Sequence, residues 1–132
     1  MKIFIDIGHP AHVHYFKNLI NILEGKGHSF LITSRDKDIA HELLDDLGLE
    51  YINRGKGGQN PLSKILYMIK ADFEIYKLSR KFKPDLFLNF GSPYPPQVAW
   101  LTNNTSIIID DTDSATLNHF FYKFFATHIL SP

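Results

Sequence analysis

The first fourteen residues constrain the fold more than any other stretch of this chain. Residues 2–7 form a run dominated by β-branched and aromatic side chains, which is typical of a buried strand. A Gly/Pro turn follows at residues 8–11, and residues 12–24 then place apolar side chains at helical spacing. This order of strand, turn and helix is the opening unit of a doubly wound α/β domain, where ligands bind beyond the carboxyl ends of the strands.

The same alternation of strand and helix patterns continues to the end of the chain. After the opening unit, strands are predicted at residues 29–33, 50–53, 85–89, 106–109 and 127–130. Strands that alternate with helices imply a parallel sheet with right-handed crossovers. We therefore predict the α/β fold class, as one Rossmann-like three-layer α/β/α domain over residues 1–132 with a parallel sheet of about six strands.

Each predicted helix has a stripe of apolar side chains that should face the sheet. The second helix is capped by Ser34 or Asp36 and ends at Gly48. The third begins with Asn60 and Pro61, a good N-cap and N1 pair, and ends before Pro84. The predicted buried stripes are Phe16, Leu19, Ile20 and Leu23 in the first helix, Ile39, Leu43, Leu44 and Leu47 in the second, and Leu62, Ile65, Leu66, Ile69, Phe73 and Tyr76 in the third.

Composition excludes several classes of function. The 14 basic and 14 acidic residues cancel, so no overall field attracts nucleic acid. Because the chain has no cysteine, it has no disulfide, no thiolate metal site and no cysteine nucleophile. Asp6 interrupts the first apolar run, no signal cleavage site follows, and no run is long enough to span a membrane. We therefore expect a cytoplasmic protein.

Residues 8–14 hold the first candidate site. The turn at Gly8 and His9 leads into a helix N-terminus, whose N–H groups and positive dipole end suit a phosphate or carboxylate. His12 at the mouth of the helix is a candidate general base, since an imidazole titrates near neutral pH. For His14, further into the helix, a packing role is favoured. Only Gly8 of a three-glycine dinucleotide fingerprint is present, which argues against a nicotinamide cofactor.

Two loops supply further candidate contacts. Arg54 and Lys56 lie among three glycines, where the two cations could fold over an anionic ligand as a mobile lid. A solvated surface loop is the equal alternative for that segment. Asn89, Gly91 and Ser92 follow the fourth predicted strand, in a polar loop that is suited to binding an anion or a hydroxyl group.

Three carboxylates follow the fifth predicted strand, at Asp110, Asp111 and Asp113. Carboxylates at a strand end can hold Mg²⁺, but an N-cap role for one of them explains the pattern without a metal. Asp111 is instead a candidate ligand for a substrate hydroxyl or an orienting partner for a histidine. A histidine metal site is also disfavoured, because His12 and His14 point in different directions on a helix. No metal is therefore expected.

The last predicted helix carries aromatic side chains at five positions between Phe120 and Phe125. A helix cannot bury all of them on one side, so some should face a partner domain, another subunit or a membrane surface. The alternative is that the sheet and the last strand cover most of them. Because the chain also ends on a predicted strand, we expect it to be the N-terminal half of a two-domain protein, with a complete single domain as the alternative.

Three segments resemble an uncharacterised archaeal and bacterial family of predicted glycosyltransferases: residues 6–17, the NFGS loop at 89–92 and the DDTD segment at 110–113. Members of that family look like two-Rossmann-domain enzymes of the GT-B type and like UDP-N-acetylglucosamine 2-epimerases. The turn from Gly8 to Val13 is also similar to that of the bacterial enzyme that adds N-acetylglucosamine to a lipid-linked muropeptide, with His12 in the place of its turn histidine.

The resemblance covers the N-terminal half of that family's usual length and implies an acceptor-binding domain. It implies a nucleotide sugar as co-substrate, a sugar or lipid-linked acceptor, and no resident cofactor. On this basis His12 would deprotonate or orient the acceptor hydroxyl with Asp111 as its partner, and Gly8, His9 and the two loops would contact acceptor phosphate or sugar. The alternatives are a sugar-nucleotide 2-epimerase-like domain and a stand-alone ligand-binding module, with a metal-dependent hydrolase third.

Overall fold

The computed structural model describes residues 1–110 and 116–131, with the backbone alone for residues 116 and 117. Six strands and five helices alternate in this part of the chain. The strands are β1 (Lys2–Ile7), β2 (Ser29–Ser34), β3 (Ile52–Asn53), β4 (Leu86–Phe90), β5 (Thr105–Ile109) and β6 (His128–Leu130). The helices are α1 (Pro10–Glu24), α2 (Ala40–Asp46), α3 (Pro61–Phe82), α4 (Tyr94–Leu101) and α5 (Thr116–Tyr122).

The six strands form one sheet in the order β3-β2-β1-β4-β5-β6, and every pair is parallel. Strand β1 lies at the centre, where Asp6 is in register with Thr33 of β2 on one side and with Asn89 of β4 on the other. Helices α1 and α2 contact each other on one face of the sheet, and α3 and α4 do so on the other. The predicted Rossmann-like α/β fold with a six-stranded parallel sheet is confirmed.

The sheet has a separate apolar core on each face, because alternate side chains of a strand point to opposite faces. On the α1 and α2 side, Ile3, Ile5 and Ile7 of β1 pack with α1 side chains and with Leu44. On the α3 and α4 side, Phe4 packs against Phe87 with 5.2 Å between the ring centroids. This second core is smaller, and it leaves room near the carboxyl ends of the strands for buried polar groups.

Helix α1 begins at Pro10 rather than at His12, because His9 acts as the N-cap. The Nδ1 atom of His9 accepts a hydrogen bond from the backbone N–H of Ala11 at 3.2 Å. Proline is favoured at the first helical position since it has no N–H that would need a partner. The predicted apolar stripe is confirmed: Val13, Phe16 and Ile20 are buried, and Leu19 and Leu23 are partly buried against the same core.

Helix α3 begins and ends where the sequence predicts. Asn60 and Ser63 form a capping box, in which the Ser63 N–H donates to Asn60 Oδ1 at 2.8 Å and the Asn60 N–H donates to Ser63 Oγ at 3.0 Å. The last helical residue is Phe82. The next residue, Lys83, has a left-handed φ of 56° and immediately precedes Pro84, which cannot continue the helix.

The predicted buried face of α3 is wrong. The side chains that face the sheet are Tyr67, Ala71, Ile75 and Ser79, whereas the six apolar residues of the predicted stripe are 37–69% exposed. The helix has two apolar faces, and the buried one contains the small residues Ala71 and Ser79, while the main tertiary contacts of α3 are with α4. The outer face therefore carries Leu62, Ile65, Leu66, Ile69, Phe73 and Tyr76.

Two smaller predictions about α2 and β3 are also corrected. Ser34 belongs to β2, and α2 begins after Ile39 without a side-chain cap, so neither Ser34 nor Asp36 caps it. Its buried residues are Ala40 and Leu44, while Ile39 and Leu47 of the predicted stripe are exposed. Strand β3 is shorter than predicted because only two of its residues pair with β2.

The aromatic helix α5 exposes part of its apolar surface, as the sequence predicts. Phe120 of α5 is exposed and Tyr122 is buried, and Phe124, which follows the end of the helix at Tyr122, is exposed as well. Asp111 and Asp113, two of the three carboxylates considered as an N-cap, lie outside the described residues. Among the helices that the structure describes, none is long and apolar enough to cross a membrane.

Candidate functional site

The strand order marks one position on the sheet edge as the candidate site. The chain moves from β1 outward to β3 and then crosses back to β4, so the direction of winding reverses between β1 and β4. In open α/β sheets a crevice forms at such a reversal, beyond the carboxyl ends of the strands, and ligands bind there. The turn after β1 and the loop after β4 flank this crevice, and the end of β5 lies beside them.

The His12 ring is held at this crevice by its neighbours. The backbone N–H of Gly8 donates to His12 Nδ1 at 3.2 Å. The ring also stacks on Phe90 at the end of β4, with the centroids 4.9 Å apart, and lies 5.9 Å from the ring of His9. A neutral imidazole that accepts a hydrogen bond at Nδ1 carries its proton on Nε2. In this arrangement His12 is therefore a hydrogen-bond donor at Nε2.

The N–H groups at the start of α1, which the sequence suggests could bind an anion, have partners within the protein in this structure. The Gly8 N–H is taken by His12 and the Ala11 N–H by His9, while Pro10 has none. The His12 N–H in turn donates to the carbonyl oxygen of His9 at 3.0 Å. The N–H groups of Gly8 and Ala11 are therefore hydrogen-bonded to histidine rings. Substrate contacts through the side chain of His9 or at Gly8 stay a prediction.

The loop after β4 brings polar atoms to the opposite side of the crevice. The buried Asn89 donates from Nδ2 to the carbonyl oxygen of Ser92 at 2.6 Å, and the Gly91 N–H donates to the carbonyl oxygen of Ile109 at 3.0 Å. Gly91 has a left-handed φ of 56°, which favours glycine. Asn89 Oδ1 and Ser92 Oγ are buried without a hydrogen-bond partner among the described residues. Such atoms are rare in folded proteins and need a ligand or a water to satisfy them.

Asp110, directly after β5, forms a cluster with two residues of α5. Its Oδ2 atom lies 2.6 Å from His119 Nε2 and also accepts a hydrogen bond from the Tyr122 hydroxyl. Asp110 and Tyr122 are buried, while the His119 side chain is 42% exposed. Burial, followed by the contact with Asp110, raises the pKa of the Tyr122 hydroxyl, so this group keeps its proton. Asp111, the predicted partner of a histidine, lies outside the described residues.

Arg54 lies inside the protein rather than in an exposed loop. The guanidinium group, 2% exposed, binds the Asp6 carboxylate through Nε at 2.8 Å and Nη2 at 3.0 Å. Nη1 donates to the Tyr67 hydroxyl at 2.6 Å, and the Thr33 hydroxyl donates to Asp6 Oδ1 at 2.7 Å. The ring of Tyr94 lies 5.3 Å from the guanidinium carbon. The charged groups of Asp6 and Arg54 therefore have hydrogen-bond partners within the protein.

The pKa values in this network keep Arg54 charged and the two tyrosines neutral. Burial lowers the pKa of Arg54, but the Asp6 carboxylate together with Tyr67 and Tyr94 outweighs that effect, and the net pKa is raised. Burial raises the pKa of Tyr67, and it raises the pKa of Tyr94 to about 12. The network thus combines the Arg54 guanidinium group and the Asp6 carboxylate with the neutral hydroxyl groups of Tyr67 and Tyr94.

The loop after Arg54, predicted as either a mobile lid or a surface loop, passes close to Arg35 and Ser63. A Cβ atom at Gly57 would come within 2.2 Å of the Arg35 guanidinium, and one at Gly58 within 2.3 Å of the backbone of Ser63. Glycine is therefore required at Gly58, which meets backbone, whereas the flexible Arg35 side chain can move away from a Cβ at Gly57. Lys56 is exposed on this loop, and its contact with a ligand stays a prediction. For Arg54 such a contact is disfavoured, because its donors are directed into the interior.

No group of three or more His, Cys, Asp or Glu side chains that could hold a metal ion occurs within residues 1–110 and 116–131.

Comparison with protein families places the chain. The family described as "Protein of unknown function (DUF354)" matches residues 1–132, which is the whole chain. The chain belongs to the DUF354 family. The DUF354 chain is 26% identical to the uncharacterized protein MJ0665 of Methanocaldococcus jannaschii over all of its 132 residues, and it covers 39% of that protein. It thus spans about two fifths of the length of this relative.

Solved structures with the same fold include two kinds of enzyme. UDP-GlcNAc 2-epimerase from Methanocaldococcus jannaschii superposes with a TM-score of 0.77 at 17% identity, covering 100% of the DUF354 chain and 39% of the epimerase. The Neisseria meningitidis epimerase bound to UDP-GlcNAc gives 0.78 at 14% identity, with 100% and 40% covered. MurG from Acinetobacter baumannii gives 0.77 at 15% identity, with 98% and 40% covered. At these identities the likeness shows a shared fold, that of the N-terminal part of GT-B proteins.

Sequence reasoning missed two groups at the site of the DUF354 chain. The charge of Asp6 inside an apolar strand was a usable signal, because a buried carboxylate requires a charged or hydrogen-bonding partner. This signal does not identify the partner, which is Arg54, 48 residues away in the sequence. His119 gave no signal, because only the packing of α5 on the sheet brings it to Asp110.

Proposed function

We propose that this chain is the N-terminal, acceptor-binding domain of a nucleotide-sugar-dependent glycosyltransferase. The observation that carries the proposal is the His12 imidazole, held by Gly8 and Phe90 at the crevice between β1 and β4. A ring fixed by a backbone hydrogen bond and an aromatic stack is oriented before any ligand arrives, which is what a catalytic or orienting group requires.

The contacts of His12 favour one of its two predicted roles. Because Nδ1 accepts from Gly8, the ring has its proton on Nε2 and is suited to donate a hydrogen bond to an acceptor oxygen. Deprotonation of the acceptor hydroxyl by the same ring would need the lone pair that Gly8 already occupies. We therefore assign His12 the task of orienting the acceptor.

The pair of Asp110 and His119 is the candidate for the proton transfer itself. A carboxylate that contacts one nitrogen of an imidazole orients the ring, as in general-base pairs. His119 is partly exposed at the carboxyl edge of the sheet, where a ligand can reach it. Asp111 directly follows Asp110 in the sequence. Its predicted role as a histidine partner remains part of the proposal.

Polar groups after β4 supply the contacts for acceptor hydroxyls. The buried oxygens of Asn89 and Ser92 lie next to Gly91, in a loop whose backbone is already tied to β5. A sugar hydroxyl both donates and accepts, so it can satisfy an amide oxygen and a serine hydroxyl together. Lys56 is a further candidate, for an acceptor phosphate.

The donor would be held largely by a second domain. The structural neighbours include an epimerase bound to UDP-GlcNAc and a Streptomyces glycosyltransferase, and the chain covers about two fifths of each. In GT-B proteins the site lies between two domains, so we propose that this chain is the N-terminal half of a two-domain enzyme. The nucleotide sugar is a co-substrate, and the residues named here require neither a metal nor a cofactor.

The test is glycosyl transfer by a polypeptide that carries this chain together with a second domain. UDP- and GDP-sugars are supplied with sugar and lipid-linked acceptors, and products are identified by mass and by the configuration of the sugar. We expect His12→Ala to lower kcat by about 100-fold, the range for loss of a group that positions a substrate. His14→Ala is the matched control, because His14 is exposed on the same helix, and it should leave kcat unchanged.

Two results contradict the proposal. Equal activity of His12→Ala and the parent protein removes His12 from the mechanism. Release of an epimerised nucleotide sugar without any transferred sugar identifies the reaction as epimerisation.

A further inference from the structure

Helix α3 has an apolar face that points away from the sheet. Its members, here called the outer face of α3, are 37–69% exposed and extend over about 21 Å at the helical rise of 1.5 Å per residue. They are Leu62, Ile65, Leu66, Ile69, Phe73 and Tyr76. Single exposed apolar residues are ordinary, but a contiguous stripe of this length marks a surface that binds something.

The apolar surface continues from α3 onto the neighbouring helices. An open groove of about 490 Å³ lies between α3, α4 and α5, with Met68 and Trp100 among its lining residues. Met68 follows Ile65 by three positions, so the groove adjoins the outer face on the helix surface. Trp100 is 61% exposed and Phe124, on the far side of the groove, is 68% exposed. Aromatic side chains of this kind are typical of the boundary between water and lipid.

The basic residues of α3 are more exposed than its acidic residues. Its two acidic residues, Asp72 and Glu74, are only partly exposed, and Asp72 points into the groove. Every exposed charged residue of the helix is basic: Lys64, Lys70, Lys77, Arg80 and Lys81. The Lys77 ammonium group lies 5.7 Å from the centre of the Phe73 ring, so the basic edge adjoins the apolar stripe directly. This concentration is local, because the whole chain has a formal net charge of zero.

We propose that the outer face of α3 binds the surface of an anionic lipid bilayer. An apolar stripe flanked by lysine and arginine is the pattern of helices that lie in the interface plane of a membrane. The apolar side chains enter the boundary of the acyl region, while the long basic side chains reach the anionic headgroups. A second copy of the chain fits this face less well, because its α3 would bring the same basic residues and no exposed acidic partner.

The test measures binding of the purified chain to vesicles. Flotation is compared for vesicles of equal parts phosphatidylglycerol and phosphatidylcholine and for vesicles of phosphatidylcholine alone. We expect binding to the anionic vesicles, and a marked loss when salt is raised from about 0.05 M to about 0.5 M, because salt screens exposed charges. Binding to phosphatidylcholine alone should be about tenfold weaker or less, since the attraction of the basic residues is then absent.

Two variants separate the apolar and the charged contributions. Leu66→Gln with Phe73→Gln should lower binding by about tenfold or more through the lost apolar burial. Lys70→Glu with Lys77→Glu should lower it by about tenfold through lost attraction and new repulsion. Ile22→Gln and Lys26→Glu are the matched controls, because both residues are exposed at α1 and away from α3. All variants replace exposed residues, and circular dichroism checks that each is folded.

Several outcomes overturn the proposal. One is the failure of the parent chain to float with anionic vesicles. Another is equal binding of the Leu66→Gln, Phe73→Gln variant, and a third is equal binding to neutral and anionic vesicles. A dimer in sedimentation velocity that this variant abolishes, without any vesicle binding, identifies a second copy as the occupant of the face. None of these results depends on whether the chain takes part in glycosyl transfer.

Discussion

Gly8 and His12 are four residues apart, and the hydrogen bond between them fixes which nitrogen of the imidazole carries the proton. The contact is local in sequence, yet it forms only because the turn folds the β1 carboxyl end against the first turn of α1. The same contact removes an amide from the set that could bind an anion. This one hydrogen bond therefore orients the His12 ring as a donor and occupies the N–H group of Gly8.

The first residue-scale prediction concerns that proton. In long-range ¹H–¹⁵N spectra of the histidine rings we expect His12 to show the tautomer protonated at Nε2, because Nδ1 accepts the Gly8 N–H. The ring is assigned by its disappearance in His12→Ala. A spectrum in which Nδ1 is the protonated nitrogen contradicts the contact and the donor role derived from it.

Asp6 and Arg54 show the cost of burying a charge at a single position. Removing one partner leaves the other charged and without compensation in the interior, whereas removing both leaves no buried charge. We therefore expect Arg54→Met to lower the free energy of unfolding by about 3–5 kcal/mol. Asp6→Leu combined with Arg54→Met should cost less than that single change.

Urea unfolding followed by circular dichroism measures this cycle. Arg80→Met is the matched control, since Arg80 is exposed on α3 and its loss should change stability by about 0.5 kcal/mol or less. If Arg54→Met costs no more than the control, the ion pair does not stabilise the fold.

At the scale of elements, α3 has two apolar faces and buries only one. The inner face packs Ile75 into the core with Phe4 and Phe87, and it also contains the small buried residue Ala71. The outer face has the larger side chains. Amphipathic periodicity identifies the helix but cannot choose between two stripes, because the choice depends on the shape of the sheet surface.

The prediction that belongs to this element compares the two faces. Ile75→Ala should destabilise the protein by about 2–5 kcal/mol, because it leaves a cavity in a packed core. Ile69→Ala removes the same atoms from the outer face and should change stability by about 0.5 kcal/mol or less. Both are measured by urea unfolding of the purified chain. Similar losses for the two variants would show that α3 is rotated from the position described here.

The groove between α3, α4 and α5 predicts a pH dependence of stability. Burial raises the pKa of the Asp72 carboxyl to about 7 from a usual value of 3.8. The neutral acid is therefore favoured by folding, so its contribution is full below about pH 4 and is lost as the pH rises through 7. We expect Asp72→Asn to become more stable relative to the parent chain from pH 5 to pH 8, by on the order of 1 kcal/mol since the partly exposed group is screened by solvent.

Thermal unfolding of both proteins across this pH range measures that difference. Asp46→Asn, a change at an exposed residue of α2, is the control and should show no such trend. A stability difference between Asp72→Asn and the parent chain that stays constant from pH 5 to pH 8 contradicts the raised pKa.

At the scale of the whole molecule, the strand order brings distant segments to one edge. The turn after β1, the loop after β4 and the end of β5 are separated by more than a hundred residues of sequence at their extremes, from Gly8 to Asp110. The reversal between β1 and β4 places them around one crevice. The sequence predicts that these segments carry polar residues, and the topology makes them a site.

The sequence by itself determined which segments are strands and helices, and in what order they occur. Those choices depend on local features, such as the β-branched run of β1, the Asn60–Ser63 capping box and the stop before Pro84. The parallel sheet follows from that order, because a strand that is followed by a helix must pack its next strand alongside.

Only the tertiary structure decided which face of α3 is buried, which cation neutralises Asp6 and which residue binds Asp110. Each of these depends on two segments that are far apart in sequence and meet only when the sheet is complete. Local patterns contain no information about a partner's distance or shape, so a helix with two apolar stripes or a strand with one carboxylate is compatible with several folded arrangements. Packing selects among them, because buried surfaces must fit closely and buried charges must be paired.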